Sequence, residues 1–308
     1  MERHNSGLIG ASYLKNALKV DCEVCIASEF RYSNPLIDKD TLCIFVSQSG
    51  ETADTLECLK FAKKKRAKII SMTNVMYSTM TKLSKIILPI CAGREIAVAS
   101  TKAYTCQVAV FYLLSKWIKS LLRQDEKTYN IALKNIQKLT KKVECFDVKQ
   151  IKEIATKIKD ENNVFFLGRN DDYFTALEAS LKLKEIAYIN SNAYPSGELK
   201  HGFIALIEKK TPVFVFATNK LVIEKNLNCI NEVSSRGANT TLISSVEFDK
   251  NQLQNVSYYI DLKLKGIVND LHPLISIIFA QYLAYFTSVF KGNNPDRPRN
   301  LAKSVTVE

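Results

Sequence analysis

The sequence predicts an α/β protein built from two copies of one unit, each an open, mostly parallel sheet covered by helices on both faces. Three observations carry that prediction. Apolar runs of strand length, such as residues 42–46 and 212–216, alternate with segments of helical periodicity. The connections between successive runs are long enough to cross over to a parallel neighbour. The two halves also resemble each other: Thr41-Leu-Cys-Ile-Phe-Val-Ser, a helix and Arg66-Ala-Lys-Ile-Ile-Ser-Met-Thr are answered by Thr211-Pro-Val-Phe-Val-Phe-Ala-Thr, a helix and Arg236-Gly-Ala-Asn-Thr-Thr-Leu-Ile-Ser.

In chain order, Gly10-Ala-Ser-Tyr-Leu-Lys-Asn runs parallel to Glu178-Ala-Ser-Leu-Lys-Leu-Lys, so each copy opens on a helix at that point. The second copy has a strand and turn ahead of it, Asn163-Val-Phe-Phe-Leu-Gly-Arg-Asn-Asp-Asp-Tyr, for which the first copy has no counterpart. The first domain is therefore expected to lack its leading strand, and the chain to be shortened at its start. Residues 42–46 form a strand, 47–50 a turn, and Thr52 heads a helix whose apolar positions are Leu56, Leu59, Phe61 and Ala62. A charged, helix-periodic stretch follows from about 119 to 160. The expected division is a first domain at 1–128, a helical linker at 129–154, a second domain at 155–298 and a tail at 299–308. The apolar run 274–290 carries Ser276, Gln281, Thr287 and Ser288 and starts after Pro273, which suits a buried core helix and no membrane span.

With 308 residues, 46% of them apolar, the chain can bury one large or two medium cores. The formal net charge of +12 comes from lysines spread over many helical faces, without an Arg-rich or aromatic-interleaved tract, so a solvated surface is expected and no nucleic acid. Eight scattered cysteines show no disulfide-framework spacing and read as reduced thiols of a cytoplasmic protein. Cys22-Glu-Val-Cys25 stands alone, without a second pair or a nearby His, and is read as strand residues in preference to a zinc site. No signal peptide is expected in the opening Met-Glu-Arg-His-Asn-Ser-Gly.

The loop Ser47-Gln-Ser-Gly-Glu-Thr52 joins an apolar run to a helix start, where unpaired backbone N–H groups and the positive end of the dipole favour an anion. Ser47, Ser49 and Thr52 add hydroxyl donors. Residue types alone leave a capped turn, with Thr52 as N-cap, equally open. The loop is neither a Gly-x-Gly-x-x-Gly nor a Walker A sequence, which favours a small phosphorylated metabolite over a nucleotide. In the second half, Glu178, Lys182 and Glu185 fall on adjoining turns of one helical face. Gly197-Glu-Leu-Lys-His-Gly202 then places His201 between glycines, as a candidate acid/base or as a structural His.

Five motifs in order extend this reading: Ser-Gln-Ser-Gly-Glu-Thr-Ala-Asp-Thr (47–55), Val-Ala-Ser-Thr-Lys-Ala (98–103), Leu-Lys-Leu-Lys-Glu-Ile (181–186), Gly-Glu-Leu-Lys-His-Gly (197–202) and Pro-Arg-Asn-Leu-Ala-Lys-Ser-Val-Thr-Val-Glu (298–308). Together they resemble the isomerase half of the glucosamine-6-phosphate synthases, the glutamine:fructose-6-phosphate aminotransferases. The resemblance covers essentially the whole chain. It implies two sugar isomerase (SIS) domains, each a flavodoxin-like three-layer αβα unit with a mostly parallel sheet, and conversion of fructose 6-phosphate plus ammonia to glucosamine 6-phosphate. Ser47, Gln48, Ser49 and Thr52 would hold the phosphate, with Val98, Ser100 and Ala302 around the sugar. Glu185 would move the proton between C1 and C2, and His201, reaching in from a second copy of a homodimer, would assist ring opening. Lys182 and Lys303 would sit at the reacting end, Lys303 matching a lysine assigned to a Schiff base. No metal or other cofactor is implied.

The departures are equally specific. The family's N-terminal glutaminase domain and its Cys-Gly-Thr-Ser turn before Asn5-Ser-Gly7 have no counterpart here, so ammonia is expected from elsewhere, such as a separate glutaminase chain. Pro195 stands where the family usually has a small residue, and Phe203 where it has proline. A non-catalytic sugar-phosphate-binding SIS protein and an inactive gene fragment are the alternatives, and the intact set Glu185, His201 and Lys303 favours descent from an enzyme over the first of them.

Overall fold

A computed structural model describes residues 1–142 and 146–302. The chain separates into two compact units, Met1–Ile118 with the tail from Arg299, and Lys119–Pro298.

In the first unit, helix α1 (Glu2–Leu18) and the short α2 (Ala27–Phe30) precede β1 (Leu42–Ser47), α3 (Ala53–Lys64), β2 (Lys68–Thr73), α4 (Thr79–Leu83) and β3 (Ile86–Pro89). Helix α5 (Lys102–Arg123) follows. The strands form a parallel sheet in the order β1-β2-β3. Residues 20–26, expected to form a strand around Cys22 and Cys25, have no strand assignment. An extended run becomes a strand only when a neighbour takes up its backbone donors and acceptors. Cys25 is correspondingly exposed and Cys22 half-buried, both free thiols.

In the second unit, α6 (Glu126–Thr140) and α7 (Val148–Ile158) lie in the charged, helix-periodic stretch at about 119–160. Asp147 starts α7 by accepting hydrogen bonds from the backbone N–H groups of Lys149 and Gln150 at 3.1 and 3.2 Å. Next come β4 (Asn163–Gly168), α8 (Asp171–Ala187), β5 (Asn190–Pro195), β6 (Pro212–Phe216), α9 (Ile223–Ser234), β7 (Asn239–Ser244), β8 (Tyr258–Asp261) and α10 (His272–Phe290). The sheet order is β5-β4-β6-β7-β8, with every pair parallel. The α/β class expected from the sequence is therefore what both units have.

Burial on both faces explains why β4 and β6 read as unbroken apolar runs. Phe166 of β4 stacks on Phe214 and Phe216 of β6, with ring centroids 5.0 and 6.4 Å away. Helix α10 packs against α7 and α8, burying Leu274, Ile275, Ile277 and Phe279. The segment Asn269–Phe290 is long and apolar enough to cross a membrane, and its burial in this unit matches the core helix predicted from Pro273.

At the end of β4 the chain turns sharply into α8. A side chain at Gly168 would meet the Asp172 backbone at 2.5 Å, so glycine is required there by space alone. The turn buries Asp172, whose carboxylate accepts hydrogen bonds from the Thr218 N–H (2.8 Å), the Thr218 hydroxyl (2.7 Å) and the Asn219 N–H (3.3 Å). Burial raises this carboxyl from 3.8 to about 6, outweighing the hydrogen bonds from Thr218 and Asn219 that pull it down. A carboxyl with a raised folded-state pKa contributes stability that is present below 3.8 and lost as the pH rises through about 6. Asp172→Asn is expected to flatten that part of the stability profile, and urea unfolding at a series of pH values between about 4 and 7 measures it.

Candidate functional site

Strand β1 ends on Ser47, which is fully buried. Its hydroxyl accepts the Gly50 N–H at 3.0 Å and lies 3.1 Å from the Thr52 hydroxyl. Ser49 accepts the Glu51 N–H at 3.2 Å, and the Glu51 carboxylate accepts the Thr79 N–H at 2.6 Å, tying the loop to the start of α4. That contact pulls the Glu51 carboxyl below its ordinary value. From the other side, Asn74 N–H and the Thr73 hydroxyl donate to the Gln48 carbonyl at 3.1 and 3.3 Å. The loop is thus held by its own hydroxyls and by the neighbouring strand.

Thr52 occupies the N-cap of α3, yet its hydroxyl turns to Ser47 and caps no helical N–H. The sequence left a capped turn and an anion receptor equally open. With the Thr52 side chain not capping α3, the backbone donors and positive dipole end of its first turn suit an oxyanion. Gly50 adopts φ +69, and a Cβ there would fall 2.1 Å from the Ser78 hydroxyl oxygen. No L side chain fits.

The segment before α5 carries two further candidates, Val98 half-buried and Ser100 buried. Ser100 is positioned by Glu95, which sequence reasoning missed. Its carboxylate accepts hydrogen bonds from the Ser100 hydroxyl (3.0 Å), Thr101 N–H (3.2 Å) and Ala103 N–H (3.0 Å), so it caps α5 and fixes the turn at once. The available signal was faint: a single acid a few residues ahead of a helix start. Ala302 is exposed, and Lys303 lies outside the described residues.

In the second unit, helix α8 aligns Glu178, Lys182 and Glu185 as its periodicity requires. The Lys182 ammonium lies 3.4 Å from Glu178 and donates to Glu185 at 2.7 Å. The Lys182 and Glu178 side chains are 1% and 0% exposed while Glu185 is 21% exposed, so Glu185 alone reaches the surface of this trio. The arrangement sets a carboxylate at an accessible edge, backed by a buried cation that can take part in proton movement.

His201 ends a turn of 3-10 helix, Leu199–His201, anchored by the fully buried Leu199. His201 itself is exposed. Lys200 pairs with Glu232 at 2.7 Å, and Phe203, in place of the family's proline, stacks on Tyr194 with centroids 3.6 Å apart. Those contacts fix the loop on either side of His201. His272 is a core residue that burial pushes below its usual pKa. Burial likewise pushes the Cys58 and Cys229 thiols up to about 11 and about 12, which keeps them protonated and unreactive. Among the described residues no three His, Cys, Asp or Glu side chains converge as metal ligands.

The comparisons with known proteins agree with one another. The SIS domain family matches residues 3–116 and 157–289. The chain is 46% identical over 310 residues to glutamine–fructose-6-phosphate aminotransferase [isomerizing] of Clostridium tetani, covering 99% of this chain and 50% of that protein. It is 45% identical over 306 residues to the protein of the same name from Fusobacterium nucleatum, covering 98% and 50%. It thus spans about half the length of the curated relatives it matches. Among solved structures, the C-terminal domain of glucosamine-fructose-6-phosphate aminotransferase from Francisella tularensis aligns with a TM-score of 0.87 at 34% identity, over 97% of this chain and 84% of that one.

Two substitutions test the local geometry. Lys182→Ala leaves two carboxylates without their buried cation and is expected to cost about 3–5 kcal/mol in urea unfolding, whereas the paired change Glu178→Gln with Lys182→Met retains most of that stability. Gly50→Ala is expected to cost about 1–3 kcal/mol, read as a lowered midpoint in the same measurement.

Proposed function

The chain belongs to the SIS domain family, alongside the C-terminal domain of glucosamine-fructose-6-phosphate aminotransferase, and from that premise we propose that it converts fructose 6-phosphate and ammonia to glucosamine 6-phosphate in the cytoplasm. The observation that carries this reading is the pairing of Glu185 with the buried Lys182 at 2.7 Å, a carboxylate held at an accessible edge by a fixed cation.

In this reading, the phosphate is held at the start of α3 by backbone N–H groups and by Ser47, Gln48, Ser49 and Thr52. Val98, Ser100 and Ala302 surround the sugar. His201 of a second copy in a homodimer assists ring opening by transferring a proton to the ring oxygen. Lys303 condenses with the open-chain C2 carbonyl with loss of water, and ammonia, delivered by a glutaminase chain, adds to that Schiff base and releases the Lys303 amine, giving the C2 imine. Glu185 then takes the proton from C1 and returns it to C2 through an enolamine, so the ketose imine becomes the 2-amino aldose without net gain or loss of electrons. Lys182 holds the Glu185 carboxylate and offsets charge as the proton moves. Proton transfer of this kind contributes roughly 10² to 10⁴ in rate.

Incubating the chain with fructose 6-phosphate and ammonium, and following glucosamine 6-phosphate by chromatography, tests the proposal. Wild-type protein is expected to form product, and Glu185→Gln to lose about 10² to 10⁴ in kcat while binding fructose 6-phosphate with similar affinity. Absence of both amination and sugar isomerisation in the folded wild-type chain would overturn the reading.

A further inference from the structure

The two units share a hydrogen-bonding frame that puts their loops in register. Lys68 N–H donates to the Thr41 carbonyl in the first unit, and Asn239 N–H donates to the Thr211 carbonyl in the second, both at 2.9 Å. Counting from these equivalent positions, Ala217, Thr218 and Asn219 stand where Ser47, Gln48 and Ser49 stand. Both loops leave the C-terminal end of a parallel strand and run into a helical turn. In the first unit the loop's hydroxyls bond to one another and to its own backbone, and among the described residues no carboxylate accepts a hydrogen bond from residues 47–49.

In the second unit the same position holds an anion already. Asp172 is 1% exposed, and both its oxygens are taken: Oδ1 by the Thr218 hydroxyl at 2.7 Å, and Oδ2 by the N–H groups of Thr218 and Asn219 at 2.8 and 3.3 Å. Two successive backbone N–H groups and a hydroxyl converging on one oxyanion are the donor set that a phosphate group would use. Thr218 is itself buried, so the donors face the carboxylate and not solvent.

We propose that Asp172 is a built-in substitute for ligand phosphate, filling the second unit's oxyanion cradle with the chain's own carboxylate so that only the first unit accepts a sugar phosphate. The proposal rests on the reading of the first-unit loop as a phosphate receptor for its consequence, one sugar phosphate per chain, but not for the cradle. The repeat therefore divides its labour: one copy keeps its oxyanion site open, and the other has closed it and uses the same donors to lock β6 to α8.

Two measurements on the full chain test this. Calorimetric titration of the wild-type chain with fructose 6-phosphate is expected to give one equivalent bound. Two equivalents would overturn the proposal, whereas no binding at all would count against the phosphate reading of the first loop and leave the cradle to the second measurement. There, Asp172→Gly vacates the cradle, and sodium formate, a carboxylate small enough for the hole, is expected to raise its Tm by about 3 °C or more over equal sodium chloride. Wild type and Asp172→Asn, whose cradles stay filled, are expected to show no such difference. If Asp172→Gly folds poorly, its refolding yield in formate against chloride gives the same readout. An Asp172→Gly chain indifferent to formate in both Tm and yield would overturn the cradle.

Discussion

Parallel pairing is the constraint from which the rest of this molecule follows. When every strand of a sheet runs the same way, the loops that leave the strands' C-terminal ends gather along one edge, and each feeds the start of a helix. Unpaired N–H groups and positive dipole ends therefore collect on that edge whether or not a ligand uses them. The loop after β1, the turn after β4 and the loop after β6 all belong to this class. What distinguishes them is which side chain turns inward: hydroxyls after β1, and after β6 a hydroxyl and two N–H groups around a carboxylate.

Against that backbone arrangement, the charges of α8 are the costly part of the design. Removing an ammonium and a carboxylate from water costs several kcal/mol for each ion, and their attraction repays it only with good geometry. Helical spacing supplies the geometry by setting Lys182 within reach of carboxylates on the turns either side. Glu178 and Lys182 are closed off, so the helix holds a fixed cation for the one member of the trio that meets solvent.

Much of this was legible in the sequence because it depends on periodicity. The apolar runs of β1, β4 and β6, the start of α10 at Pro273 and the shared face of Glu178, Lys182 and Glu185 all follow from spacing along the chain. The illegible parts depend on tertiary path. Asn170-Asp171-Asp172 reads as an acidic helix start, but nothing local says that the second Asp is swallowed while its neighbour stays half-exposed. Glu95 reaches donors up to eight residues away only because of the route its loop takes. Thr52 has the ordinary residue type for a helix cap, and a closer partner, Ser47, diverts it. The residues around Cys22 have strand-like composition without a hydrogen-bonded neighbour, and composition cannot supply one.

The contact between Ser47 and Thr52 has one more consequence. At 3.1 Å either hydroxyl can donate to the other, so the pair can exchange the direction of its hydrogen bond without moving a heavy atom. A phosphate monoester carries one or two negative charges near neutral pH, and the two forms ask for different numbers of donors. In the reading of this loop as a phosphate receptor, hydroxyl protons that can be re-aimed by rotation alone would suit either ionic form without backbone rearrangement, and binding would be tolerant of acidity.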